Sequence, residues 1–294
     1  MNKTISYSQF STWLGCPLKW KLIYIDDAGE DVENINFIFG KAIHGTIQEY
    51  LTRYYNESVA KANEMDLSLY LKEQMKSFFM QSKNDSKVMN VTKEEMLDAY
   101  YDGAKTLEWF KNRVSKYFQK MNWELVGVEL PLVVPIRAGI TFKGYLDIVL
   151  RNTKTGQIKI LDIKTSRMGW KEKDKSDFSK RAQLVMYKHY YSEQFNVPID
   201  NIVVEFMVMK RKVYEGADWP IPRIQIIEPP TGSVTTHKTL QEFQKFINAC
   251  FLLNEHNIDG VYEASPDKNK CKWCKFNMTT YCKGVKLLLK RNKT

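Results

Sequence analysis

The fold is decided by Ile140-Thr-Phe-Lys-Gly-Tyr-Leu-Asp-Ile-Val-Leu-Arg-Asn152 and by Gln157-Ile-Lys-Ile-Leu-Asp-Ile-Lys-Thr165, which follows it. In both runs β-branched and aromatic residues alternate with polar ones, the period of a strand. Asn152-Thr-Lys-Thr-Gly156 supplies the hairpin turn between them. With the turn centred on Lys154, Asp147 and Asp162 fall within one residue of facing each other, a slip that a β-bulge absorbs. Asp162 and Lys164 are two apart and share a face, while Leu161 and Ile163 point the other way, into a core. Two carboxylates and an ammonium therefore converge on one edge of a sheet. Hard oxygen donors held this way suit Mg2+ or Mn2+. Such an ion acidifies a water and offsets charge on a phosphate under attack, and the lysine can orient the nucleophile. The plain alternative for the same residues is a surface hairpin with a Lys–Asp pair.

Upstream of the hairpin, no proline occurs between Pro17 and Pro131 and no glycine between Gly45 and Gly103. The stretch is rich in residues that lose little rotamer freedom in a helix. It predicts helices over about 41–55, 67–81 and 93–120, the last with a break. Strand periodicity begins at Leu125–Pro135. Downstream, Lys171–Lys180 reads as a charged loop, Arg181–Phe195 as a helix, Ile202–Lys210 as a buried strand and Ile224–Glu228 as another strand. Thr236–Asn257 reads as a long amphipathic helix, followed by a cysteine-bearing loop and a basic tail. The expectation is an α/β fold, a central mixed β-sheet flanked by helices. It forms one domain over 1–294, with a helical insertion at 50–120 and a cysteine-rich segment at 260–294.

The 294 residues carry a net charge of +10, with 44% hydrophobic and 13% aromatic residues, which excludes general disorder. No window approaches the roughly 18–20 apolar residues of a membrane span. The first residues, MNKTISYSQFSTWLGC, lack the apolar core of a signal peptide. A cytoplasmic protein without a membrane partner is the expectation. The positive balance suits nucleic acid or, equally, a solvated lysine surface. Lys171, Lys173, Lys175, Lys180, Arg181 and Lys210-Arg-Lys212 are candidate phosphate contacts, and Trp170 a candidate base-stacking surface.

Further candidates flank the hairpin. Gly40-Lys-Ala-Ile-His44 is expected to open the first long helix, where His44 is a candidate metal ligand or phosphate contact. Gly40 to Gly45 has the glycine spacing of a phosphate loop but is followed by Thr46 and Ile47, so it is rejected as an ATP site. Gln183 and Tyr187 lie four apart on one helix face. Glu129, on the first strand, either reaches the site or faces solvent. Cys271-Lys-Trp-Cys274, then seven residues to Cys282, is spaced like a metal-ligand set that needs one more donor. Cys250 falls on an apolar helix face with Phe243, Phe246, Ile247 and Phe251, and is expected to be a core thiol.

In order along the chain, Gly40 and His44, Gly144 and Asp147, Asp162 and Lys164, and Gln183 and Tyr187 resemble the RecB-like branch of the PD-(D/E)XK nuclease superfamily. The resemblance runs from Tyr7-Ser-Gln-Phe10 and Cys16-Pro17 to Cys282. It implies a restriction-endonuclease-like core and a DNA nuclease, an exonuclease, using Mg2+ or Mn2+. The ion would be held by His44, Asp147, Asp162 and the carbonyl of Ile163, with Lys164 as catalytic lysine and Gln183 and Tyr187 completing the site. It further resembles the iron–sulfur nucleases of the AddB type and of CRISPR adaptation, which take one cysteine before the nuclease motifs and three after. That implies a cluster on Cys16, Cys271, Cys274 and Cys282 stapling the chain ends. The last gap is longer than the five residues of that pattern, so 4Fe–4S is the first expectation and Zn2+ the second. The implied setting is a bacterial or phage-infected cell, with DNA as substrate and any unwinding left to a helicase or recombination partner. The competing expectations are a non-catalytic DNA-binding scaffold subunit and a zinc-ribbon-like interaction protein.

Overall fold

The computed structural model describes residues 3–282 apart from positions 31, 86, 215, 217 and 218; the basic tail at 283–294 lies outside the described residues. The chain starts with β1 (Lys3–Ile5), α1 (Tyr7–Gly15) and α2 (Pro17–Tyr24). The Ser6 side chain caps α1, and Pro17 sits in the first turn of α2, where its missing N–H costs nothing. Next come β2 (Val32–Asn34), α3 (Ile35–Asn56), α4 (Val59–Glu64), α5 (Leu67–Asn84), β3 (Val88–Asn90), α6 (Lys93–Lys111) and α7 (Val114–Tyr117). A reciprocal Thr92–Glu95 capping box opens α6. The remainder is β4 (Trp123–Arg137), β5 (Ile140–Asn152), β6 (Ile158–Ser166), α8 (Glu172–Lys175), α9 (Phe178–Phe195), β7 (Ile202–Lys210), β8 (Ile224–Ile227), α10 (Ser233–Cys250), the short pair β9 (Phe251–Leu252) and β10 (Glu255–His256), and α11 (Lys268–Cys271).

Six strands form one mixed sheet in the order β1-β5-β6-β7-β8, with β4 on the other edge of β5. One face is covered by α1, α2, α9 and α10, where Phe10, Trp20, Phe142, Tyr190, Phe243 and Phe246 share a core. The other carries α3 to α7, and Ile43, Tyr50, Leu71 and Phe110 pack there with Leu161, Ile163 and Met207 of the sheet. β6 and β7 are therefore buried on both faces, at about 1.5–3 kcal/mol for each large apolar side chain removed from water. Gly103 lets α6 approach closely, since a Cβ there would lie 2.6 Å from Leu71 Cδ2 and 2.9 Å from Phe39 Cε2. The α/β architecture expected from the sequence is the one observed.

Several boundaries differ from the sequence reading. Helix α3 starts at Ile35, capped by Asn34, so Gly40 and His44 lie inside the helix and do not open it. The 93–120 helix breaks at Asn112 and Arg113 and ends at Tyr117. The helix expected over 236–257 spans Ser233–Cys250, and the chain then turns into the β9–β10 pair. There Phe251 leaves the helix to pack edge-on against Trp20 and Phe246, a tertiary contact outweighing local period. The charged loop contains the single-turn α8. The hairpin needs no bulge: Ile148 pairs Leu161 and Arg151 pairs Ile158, which sets Asp162 opposite Asp147 in direct continuation. Cys250 is fully buried among Phe243, Phe246, Ile247 and Phe251, and burial raises its pKa.

Candidate active site

Strand β5 is longer than any partner on one of its edges. There β1 pairs in parallel with Ile140–Phe142, and β6 pairs antiparallel with Ile148–Arg151. The intervening edge, Lys143 to Asp147, pairs with neither, so the sheet forks. The Asp147 carboxylate fills part of the gap, its Oδ2 accepting the Ile163 N–H at 2.6 Å. Asp162 is 2% exposed, and its Oδ2 forms a buried ion pair with Lys164 Nζ at 2.7 Å. His44, from the middle of α3, brings Nδ1 to 3.5 Å from Asp147 Oδ2. The sequence-predicted His44, Asp147, Asp162, Ile163 and Lys164 thus meet at one place.

Burial governs the electrostatics. Desolvation raises Asp147 to about 7 and Asp162 to about 6, although the Lys164 charge pulls both down. His44 falls to about 4 because burial and Lys164 disfavour its cation more than Asp162, Glu129 and the Ile163 backbone favour it. Burial works against the Lys164 ammonium too, but Asp162 and Asp147 outweigh it and its pKa rises. At neutral pH the site therefore holds a neutral imidazole, a cationic lysine, a mostly ionised Asp162 and an Asp147 close to half protonated.

That donor set fits a hard divalent cation. A cation would relieve the desolvation that raises both carboxyls, and a neutral imidazole with oxygen donors suits Mg2+ or Mn2+. Among the described residues no group of three or more His, Cys, Asp or Glu side chains converges closely enough to hold an ion. The carboxylates are turned instead to the Ile163 amide and to Lys164.

Glu129 lies opposite Asp147, between the pairs Val128–Ile148 and Leu130–Leu146, and adopts a left-handed φ of 47° that interrupts the ladder. Gln48 Nε2 donates to Glu129 Oε1 at 2.7 Å and to the Asp147 carbonyl at 3.1 Å. Glu129 thus belongs to the site. Gln48 was missed, although it stands one helical turn after His44, a spacing visible in the sequence. Tyr187 reaches the cleft wall, and Gly144 is what lets α9 approach: a Cβ there would lie 3.0 Å from the Tyr187 ring. Gln183 stays buried behind, its Nε2 donating to Tyr187 Oη at 3.1 Å. Tyr7 was also overlooked; its hydroxyl donates to the Ser179 carbonyl at 2.5 Å and so ties α1 to α9.

A sequence-family model of the PD-(D/E)XK nuclease superfamily matches residues 4–282. The chain belongs to this superfamily. Its members are nucleases that generally use Mg2+ or Mn2+, so metal-dependent cleavage of phosphodiesters is the activity of the family to which the fork belongs. A solved structure, described as the crystal structure of SSO0001, is similar over 92% of this chain and 93% of that one, at 16% identity and a TM-score of 0.30. No curated protein matches.

Two other sets of predicted residues are placed as follows in this superfamily member. Cys16, Cys271, Cys274 and Cys282 line one cavity of about 500 Å³. Around it the chain ends are joined by backbone: the Leu18 N–H donates to the Glu263 carbonyl at 3.2 Å, and the Ser265 and Asp267 N–H groups donate to Cys16 and Cys271 Sγ, both at 3.4 Å. Four of the eight cations in the candidate stripe are ion-paired with acids of this chain. Lys180 pairs with Asp174, Lys175 with Glu172, and Arg211 and Lys212 with Asp102. Trp170 packs 4.9 Å from Phe206 with the Lys180 ammonium over its ring, so it is held as core packing and not as an open stacking surface. Among the described residues no helix is long and apolar enough to cross a membrane.

Proposed function

We propose that this chain is a divalent-metal-dependent DNA nuclease, an exonuclease, carrying a 4Fe–4S cluster on its four clustered cysteines. The observation that carries the catalytic reading is the meeting of Asp147, Asp162, Lys164 and His44 in the fork beside β5. His44, Asp147, Asp162 and the Ile163 carbonyl are the groups that would hold Mg2+ or Mn2+. When bound, that ion supplies Lewis acidity and a water acidified toward neutral pH. Lys164 stays charged at neutral pH, orients the nucleophile and offsets the negative charge that grows on the phosphate. Glu129 is an additional oxygen acceptor at the same place, and Gln48 holds it against the Asp147 carbonyl. Tyr187 closes the wall, and Gln183 fixes its hydroxyl. A cleft of about 440 Å³ beside these groups has room for a nucleotide or two, which favours attack at a free end. The net charge of +10 is the field expected around a site that holds a polyanion.

The four thiols line one cavity, and the choice of a cluster over zinc rests on the resemblance to the iron–sulfur nucleases. The cluster would be structural, joining α1 and α2 to the C-terminal segment. The Gly40–Gly45 glycines lie inside α3 and form no phosphate loop, so unwinding is assigned to a helicase or recombination partner in the cytoplasm.

The test uses end-labelled single- and double-stranded DNA with Mg2+ or Mn2+, comparing wild type with Lys164→Ala and Asp162→Ala. Cleavage by wild type alone, shortening from one end, is expected; equal activity in all three, or none in any, overturns the reading. Brown, anaerobically purified protein absorbing broadly near ~400 nm is the cluster expectation. Colourless protein with stoichiometric zinc overturns it.

A further inference from the structure

We propose that the open face of β5 next to the fork is a stacking subsite for unpaired nucleobases, so that the substrate enters as a single strand. The inference rests on the nuclease reading and names the form in which DNA meets that site.

Along β5 the pleat sends Lys143, Tyr145 and Asp147 to one side, while Phe142, Gly144 and Leu146 are buried on the other. The open side therefore leads from the carboxylate site directly onto an aromatic ring and then onto an ammonium, in steps of roughly 7 Å. Tyr145 is 45% exposed, and Lys143 Nζ lies 5.2 Å from its ring centroid. On β4, Pro131 pairs with Tyr145 and Val133 with Lys143, and both face the same way, so the ramp has an apolar floor beside the ring. Opposite stands the turn from β1 into α1, whose Ser8 and Gln9 line the same cleft as Lys143, Tyr145 and Asp147. Among the described residues the Gln9 Nε2 is held by the Thr4 carbonyl, while its Oε1 makes no hydrogen bond.

These groups match one ligand chemistry. A flat ring with an exposed face accepts a base only when that base is not paired, because pairing and stacking in a duplex occupy both its edge and its faces. Lys143 at the rim supplies a point charge for a backbone phosphate. Apolar Pro131 and Val133 offer nothing to a phosphate and everything to a base or sugar. The cleft, about 440 Å³, takes a strand and not a helix of two strands. The sheet already places the ring two residues from Asp147, so a nucleotide stacked there has its phosphate beside the carboxylates.

The test measures binding apart from cleavage. In an Asp162→Asn background, fluorescence anisotropy follows a short labelled oligothymidylate and a blunt duplex of equal length against Tyr145→Ala, Tyr145→Phe and Lys143→Ala. Tyr145→Ala is expected to weaken single-strand binding about tenfold, Tyr145→Phe less than twofold, and Lys143→Ala to reduce the salt dependence. Unchanged single-strand affinity in Tyr145→Ala overturns the proposal, as does an equal loss for the duplex or an equal loss in Tyr145→Phe. Failure of the wild type to cleave any DNA would overturn the nuclease reading alone, since stacking is read on an inactive protein.

Discussion

The two clusters of reactive side chains in this molecule lie at opposite ends of one helix and are built on opposite principles. α1, roughly 13 Å long by the usual rise, begins at Tyr7 on the wall of the cleft beside Asp147 and ends just before Cys16 in the cysteine cavity. Tyr7 lines both cavities. At the carboxylate end, position is dictated by strand register: Asp147, Asp162 and Lys164 are fixed by pairing among β4 to β7, with Leu161 and Ile163 anchored in a core beneath. At the cysteine end, the described residues after β10 contain only the single-turn α11, and their large buried side chains are Tyr262 and Phe276. The first site is positioned by the sheet, with its carboxylates turned to the Ile163 amide and to Lys164. Among the described residues the second is set by loop backbone and a single turn of helix.

Breaking each end should therefore have different consequences, and the largest effect belongs to the carboxylates. Lys164→Ala or Asp162→Asn is expected to lower DNA cleavage by about a thousand-fold or more with far-UV circular dichroism unchanged. Asp162→Asn keeps or raises the melting temperature, while Lys164→Ala, which leaves two buried carboxyls without their cation, lowers it by a few degrees. A melting temperature that collapsed with activity would contradict the claim that this site is held by the sheet. Cys271→Ser combined with Cys274→Ser should do the reverse. Limited proteolysis read by mass spectrometry should cut first within 258–282, while a folded fragment covering β1 to α10 survives. Cleavage spread evenly over the chain would show that both ends share one cooperative unit.

The comparison is sharpened by pH. A carboxyl whose folded pKa is raised to about 7 destabilises the folded state as pH climbs from its ordinary value near 4 through 7. Without metal, wild type carries that penalty in full at pH 8. Asp147→Asn, neutral throughout, should raise the melting temperature in chelator by about 3 °C or more at pH 8 and by less at pH 5. An equal gain at both values would mean that Asp147 is not the strained group. Smaller still is Gln48→Leu, expected to reduce cleavage about tenfold while circular dichroism is retained, since it frees the Glu129 carboxylate and the Asp147 carbonyl without touching the Asp147 and Asp162 carboxylates. Gly144→Ala should have the mildest effect, costing about 1 kcal/mol as its Cβ presses on Tyr187, readable by denaturant titration.

Much of this was legible in the sequence, and what was missed follows a pattern. The period-two alternation marked β5 to the residue, and the continuous apolar run of a buried strand marked β7, because both patterns are local properties of the chain. β1, three residues long, carries too little periodicity to register, yet its pairing with Ile140–Phe142 creates one arm of the fork. Gln48 and Tyr7 carry no chemistry that distinguishes them from ordinary polar residues until their partners are in place. Trp170 and the paired cations failed in the opposite sense. They looked available because a sequence displays charges and rings without the acids and cores that occupy them.

What the sequence alone determined is which residues share a face: Asp162 with Lys164, Gln183 with Tyr187, and Cys250 with its phenylalanines all follow from periods of two or 3.6 residues that the backbone imposes. What only tertiary structure decided is which faces meet. His44 reaches Asp147 across more than a hundred residues of chain, and Glu129 turns toward it through a left-handed backbone inside a strand. Cys16 comes to the cavity of Cys271, Cys274 and Cys282 from the other end of the chain. Such meetings depend on the burial of two cores on the two sides of one sheet, a global free-energy balance that no local window of sequence contains.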